Sequence, residues 1–202
     1  MRRTEFIKKY VAGKSILNIG CVDSSGEEYL HGFLAGIANH LEGCDINKKG
    51  LDAMRINGYD VFYGDAEGTE GFDNGKEYDV IIAGEVIEHL FNMGNFLENT
   101  RNALKNEGML IITTPNARSL TYHFNRILGR INVMGEHENA EHVHLYTAQT
   151  LIQLLGSNGF SAMEIVHLDF YHYSWKKFPL KIIYHCFPDF SEGIMLVARR
   201  KV

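Results

Sequence analysis

Cysteine and proline are scarce, at three residues each in a chain of 202. Cys21, Cys44 and Cys186 are odd in number and form no CxxC spacing, so neither a disulfide framework nor a cysteine zinc site is indicated. Excess positive charge is missing too. Lys and Arg total 20 against 25 Asp and Glu, for a net charge of -5 and a pI near 6.0. That leaves no basic stripe for a phosphate backbone, and no DNA partner is expected. No apolar run reaches the roughly 20 residues of a transmembrane helix. MRRTEFIKKY is basic but lacks the apolar segment and cleavage site of a secretory leader, so a cytoplasmic location is the expectation. Repeats and low-complexity segments are absent. With 45% hydrophobic residues, the chain suits one globular domain, 1–202, acting on small molecules.

What is present is an alternation of short apolar runs and amphipathic stretches. Strands are expected at 16–19, 41–44, 61–63, 78–83, 109–114, 161–167 and 193–199. Helices are expected at 4–11, 27–39, 47–57, 85–105 with an interruption near 92–94, and 147–158. This pattern means a Rossmann-like, doubly wound α/β sheet of about seven strands, mostly parallel, with the last strand antiparallel and helices on both faces. Tyr29, Leu30, Phe33, Leu34 and Ile37 recur at helical spacing and read as a core face.

In such a sheet, ligands bind outside the carboxyl ends of the strands. The first strand breaks into Gly20 and a small or polar run up to Gly26, where a nucleotide-like ligand would meet a helix start. The later strands run into Asp45, Gly64-Asp65, Gly84-Glu85 and Pro115-Asn116. Taken singly, Asp45 could be a helix N-cap and Asp65 an ordinary turn residue. Their joint placement at strand ends argues for a site.

ILNIGCVDSSG, GCDIN, GDAEG, YDVIIAGEVIEHL, LKNEGMLIITTPNARS and HVHLYTAQTLIQLLGSNGF, in this order, resemble the class I S-adenosylmethionine-dependent methyltransferases. The likeness is to the O-methyltransferase branch that includes ubiquinone-biosynthesis and bacterial surface-polysaccharide enzymes. The resemblance implies that Asn18, Ile19, Gly20 and Cys21 wrap the methionine and ribose part of S-adenosylmethionine. It further implies that Asp45, with Ile46 beside it, holds the ribose hydroxyls, that Asp65 and Ala66 face the adenine, and that Ala83, Gly84 and Glu85 line the methyl-donor side. The chain departs from the family at Asn18, where an acid is usual, and at Val22 and Ser24, where glycines are usual.

Glu85, Glu88 and His89 of EVIEHL stand at i, i+3 and i+4, which on a helix would put them on one face. Two carboxylates and an imidazole suit a divalent cation. Packed or solvated side chains with no ion are the alternative. ExxEH with a downstream histidine also resembles the metal site of small-RNA 2'-O-methyltransferases and some ubiquinone-pathway enzymes. That likeness implies Glu85, Glu88, His89 and His142 as ligands for Mg2+ or Mn2+. Methyl transfer otherwise needs alignment and a base, for which His142, then His144 and His89, are the candidates.

From 170 to 190 the chain holds eight aromatics, including the only tryptophan, Trp175, and two of the three prolines. This insertion reads as a pocket lid, a homodimer surface, a face for lipid-linked substrate, or a satellite core. The expected activity is methyl transfer to an oxygen of a small molecule or glycan. Metal-assisted RNA 2'-O-methylation and an inactive cofactor-binding regulator are the alternatives.

Overall fold

Seven apolar runs become strands that join in one sheet: β1 (Ser15–Ile19), β2 (His40–Asp45), β3 (Val61–Tyr63), β4 (Tyr78–Gly84), β5 (Leu104–Pro115), β6 (Phe160–Leu168) and β7 (Gly193–Arg200). The computed structural model describes residues 3–22, 30–69, 71, 72, 74–127, 142–168 and 184–201. Strand order is β3-β2-β1-β4-β5-β7-β6. Neighbours pair in parallel from β3 through β5, and β7 runs antiparallel between β5 and β6. The order reverses at β1 and β4, and that switch point opens a crevice at their carboxyl ends.

The helices are α1 (Arg3–Val11), α2 (Leu30–Ala35), α3 (Lys48–Ile56), α4 (Met93–Ala103), α5 (Leu120–Ile127) and α6 (Ala148–Ser157). Because side chains alternate across a strand, neighbouring residues feed two separate cores. Leu17, Ile19, Ile81, Ala83, Leu110 and Ile112 pack with Phe96 and Leu97 of α4 and with Leu151 and Leu155 of α6. Ile16, Val80, Ile82 and Ile111 pack on the other side with Phe6, Ile7 and Val11 of α1 and Leu30 and Leu34 of α2. The central strands are buried on both faces, which is why they read as continuous apolar runs. Phe33 and Ile37 are partly buried against the second core, while Tyr29 lies outside the described residues.

Two helix expectations are corrected. The helix expected to reach residue 39 stops at Ala35, where the Gly36 and Ile37 N–H groups fold back onto Phe33 and Leu34. The helix expected from 85 does not start there. Glu85 has φ 56, a left-handed backbone, and its N–H extends the sheet by bonding to the Thr113 carbonyl at 2.9 Å. Only one 3-10 turn follows, Ile87–His89, before Asn92 caps α4 by accepting from Asn95 N–H. Glu85, Glu88 and His89 therefore do not share a helical face. By contrast, Thr147 caps α6 as its sequence signals, in a reciprocal box with Thr150. Among the described residues, no helix is long and apolar enough to cross a membrane. Residues 170–183 of the aromatic insertion, Trp175 among them, fall outside the described residues, so its lid and dimer readings have no structural account.

Candidate active site

At the carboxyl end of β1, Gly20 turns the chain with φ 67, and a Cβ there would stand 2.6 Å from Val86 Cγ2. Only glycine permits this close approach of the β1 and β4 ends. The Gly20 and Cys21 N–H groups both point to the Cys44 carbonyl, at 2.8 and 3.3 Å. Asn18 is buried, with its amide nitrogen 3.3 Å from His31 Nδ1 on α2, so its side chain sits beneath the turn. Burial pushes the His31 imidazole down to about 4 and the Cys21 thiol up to about 12, so both are neutral in ordinary conditions.

Asp45 is not the helix cap. That position belongs to Asn47, whose side chain accepts from Gly50 N–H. The Asp45 carboxylate instead accepts Val22 N–H at 2.9 Å through Oδ2 and Asn47 N–H at 2.8 Å through Oδ1, tying the glycine turn to the end of β2. Ile46 beside it is 65% exposed, an apolar shelf next to a carboxylate. Asp65 is exposed and accepts Glu67 N–H at 3.0 Å, while Ala66 is buried. Asn99 of α4 donates to the carbonyls of Ala66 and Gly68, at 3.3 and 2.8 Å, and fixes this loop. Nothing in the local sequence around residue 99 advertises that task.

The ends of β4 and β5 carry two buried acids. Burial raises the Glu85 carboxyl above the usual range, against the pull of the nearby Thr113 hydroxyl and Arg3 guanidinium. Glu88 is 1% exposed and is likewise raised, by burial first and by Glu85 second. Its Oε2 accepts from the Thr114 hydroxyl at 3.0 Å. Its Oε1 has no hydrogen-bond partner among the described residues and lies 3.9 Å from His142 Nε2. His89 and His142 stack edge to face with centroids 4.6 Å apart. Donor atoms of Glu88, His89 and His142 all lie within 4.8 Å of one another. Glu85 adjoins Glu88 but is not in that set.

Backbone contacts bring the distant His142 here. The Val143 and His144 N–H groups both bond to the Glu88 carbonyl, at 2.8 and 3.1 Å, and Ala117 N–H bonds to the Tyr146 carbonyl at 2.8 Å. His144 stands against Tyr146, with ring centroids 6.0 Å apart, and outside the triad. Thr114 and Tyr146 complete the wall. The polar Thr-Thr pair closing an apolar strand is the signal that points to Thr114.

Glycine turn, acidic β2 terminus and polar strand ends thus surround one crevice at the switch point. A family described as methyltransferase domain matches residues 2–165, more than half of the chain. The chain belongs to this family, in its class I, S-adenosylmethionine-dependent form. The methyltransferase domain is 28% identical over 174 residues to a ubiquinone biosynthesis O-methyltransferase of Ruegeria sp. (strain TM1040), covering 82% of this chain and 67% of that protein. It is 28% identical over 118 residues to N-methyltransferase 4 of Papaver somniferum, covering 55% of this chain and 33% of that protein. The methyltransferase domain thus spans a third to two thirds of these relatives. A crystal structure of an S-adenosylmethionine-dependent methyltransferase from Mesorhizobium loti superposes with a TM-score of 0.67 at 12% identity, covering 98% of this chain and 95% of that one, a likeness of fold.

Proposed function

We propose that the methyltransferase domain transfers a methyl group from S-adenosylmethionine to a hydroxyl oxygen of a small molecule or sugar, with Glu88, His89 and His142 holding a divalent cation, Mg2+ or Mn2+. The carrying observation is the triad: a buried carboxylate oxygen with no hydrogen-bond partner among the described residues, beside two imidazoles, at the strand ends. Such a mixed oxygen and nitrogen set suits a borderline divalent ion. The relatives named as ubiquinone O-methyltransferases favour oxygen; the poppy N-methyltransferase is the counterweight.

The donor side fits S-adenosylmethionine on the chain's own terms. An exposed glycine with no room for a side chain, a carboxylate and an exposed apolar shelf lie in sequence along the crevice. Asp45 would accept from the ribose hydroxyls. Asn18, Gly20 and Cys21 would hold the methionine part, Ile46, Asp65 and Ala66 the purine, and Ala83, Gly84 and Glu85 the methyl-donor side. Bound S-adenosylmethionine supplies a methyl already activated on a sulfonium sulfur. What remains for the protein is alignment and proton removal. A divalent ion would polarise the acceptor hydroxyl. In an ion-free variant of this reading His142, 3.9 Å from Glu88, takes the proton; where His142 would hold the ion, His144, set against Tyr146, is the remaining candidate base. Thr114 holds Glu88 in place for either task.

Calorimetry with S-adenosylmethionine, then methyl release on a panel of catechols, sugars and amines with and without EDTA, tests this. Transfer to hydroxyls that EDTA abolishes and Mg2+ restores is the expected result. Transfer to amines alone, or none by a protein that binds the donor, overturns it.

A further inference from the structure

Val22 stands where the family usually has glycine, and a bulkier residue there ought to crowd the cofactor turn. Its side chain instead enters a notch on α3. A Cβ on Gly50 would lie 2.2 Å from Val22 Cγ1, 2.8 Å from Cγ2 and 3.0 Å from Cβ. Both methyls and the branching carbon occupy the space, so no rotamer of Val22 escapes an added methyl.

We infer that Val22 and Gly50 are a matched pair of positioning residues that seats the cofactor turn on α3, an inference that rests on the donor side of the reading above. Gly50 cannot recede. Its N–H is held by the Asn47 side chain at 3.1 Å, and the next turn of α3 is held by Leu51 N–H bonding to the Asn47 carbonyl at 3.0 Å. Val22 is held by its N–H on Asp45. A side chain at 50 therefore displaces Val22, and the displacement falls on the Val22–Asp45 hydrogen bond, beside the carboxylate assigned to the ribose.

Two properties make the pair testable. Gly50→Ala should raise helix propensity, so a site without this contact gains or keeps stability. Within the pair it should lower the melting temperature and raise the S-adenosylmethionine Kd about tenfold or more, the loss of one hydrogen bond to a carboxylate. Val22→Ala empties the notch without a clash and should weaken binding by a smaller factor than Gly50→Ala, about threefold, and Val22→Ala/Gly50→Ala should return to the Val22→Ala value. Gly50→Ala with wild-type affinity, or a folded double variant as weak as Gly50→Ala, overturns the pair. If wild type binds no S-adenosylmethionine, the donor reading fails by itself, and the same cycle on melting temperature decides the pair: rescue by the double variant sustains it and additive shifts overturn it.

Discussion

The Asp45 carboxylate grips the Val22 backbone N–H at 2.9 Å, across 23 residues of sequence, and so joins the end of β2 to the turn that ends β1. Asp45→Ala should weaken S-adenosylmethionine binding by about 1.5 to 3 kcal/mol, since it removes a charged acceptor and loosens the turn. Asp45→Asn keeps one acceptor oxygen and should fall between. Calorimetric titration measures both, and unchanged affinity in Asp45→Ala would leave the residue a mere tie between loops.

His31 is 1% exposed and its imidazole is pushed by burial from 6.5 to about 4. The unfolded chain then takes up a proton that the folded chain refuses. Stability is complete above about pH 6.5 and declines by about 3 kcal/mol as pH falls to 4, by linkage between the two pKa values. His31→Gln, which retains a partner for Asn18, should flatten that decline in urea unfolding at pH 7, 5.5 and 4.5. An acid limb of equal steepness in the variant would place the titration elsewhere.

The triad gives a third expectation. Glu88→Gln removes the charged ligand and keeps its size, and should abolish the metal response along with most of the activity. Thr114→Val leaves the ligands but frees Glu88 Oε2, so metal affinity should drop about tenfold or more, as for other groups that orient a ligand. Mn2+ titration followed by electron paramagnetic resonance reads this directly. Equal Mn2+ binding by wild type and Glu88→Gln would remove the ion from the reading.

At the amino end of the sheet, Glu42 of β2 is buried and accepts from Lys76 Nζ at 2.6 Å, from Asn74 at 3.3 Å and from the Tyr78 hydroxyl. Burial works to raise its carboxyl, yet the Lys76 and Tyr78 bonds outweigh it and leave the group below the usual range. Lys76 is half exposed, so water screens the ion pair and the buried hydroxyl bond matters more. Glu42→Ala should cost about 2 kcal/mol in urea unfolding, and Lys76→Ala well under half of that. The reverse ranking would make the ion pair the dominant contact.

The sheet was legible because residues such as Val80, Ile81 and Ile82 are buried on both faces and leave an unbroken apolar run, and because Thr147 and Asn47 are helix-start residues of ordinary kind. The site was legible only where it hangs on strand ends. EVIEHL misled because spacing of three and four is helical only if the backbone is, and the left-handed Glu85 with its bond to Thr113 is a tertiary matter that no local pattern encodes. His142 stands far from Glu88 in sequence, and what joins them is a backbone carbonyl taking two N–H groups. Asn99 and Gly50 make their contacts across elements, so their residue types alone say nothing. Helix α5 was not expected, although Ser119 before it is an ordinary helix-start residue, its hydroxyl oxygen accepting Tyr122 N–H at 3.4 Å.

Glu85 also carries a cost in the domain's durability. A non-glycine residue in the left-handed region costs on the order of 1 kcal/mol, and burying a carboxyl adds to that. Glycine at this position would relieve both, so selection for heat resistance alone should drift toward Glu85→Gly. The domain keeps the acid there at the expense of endurance, at a single peptide unit between two strands.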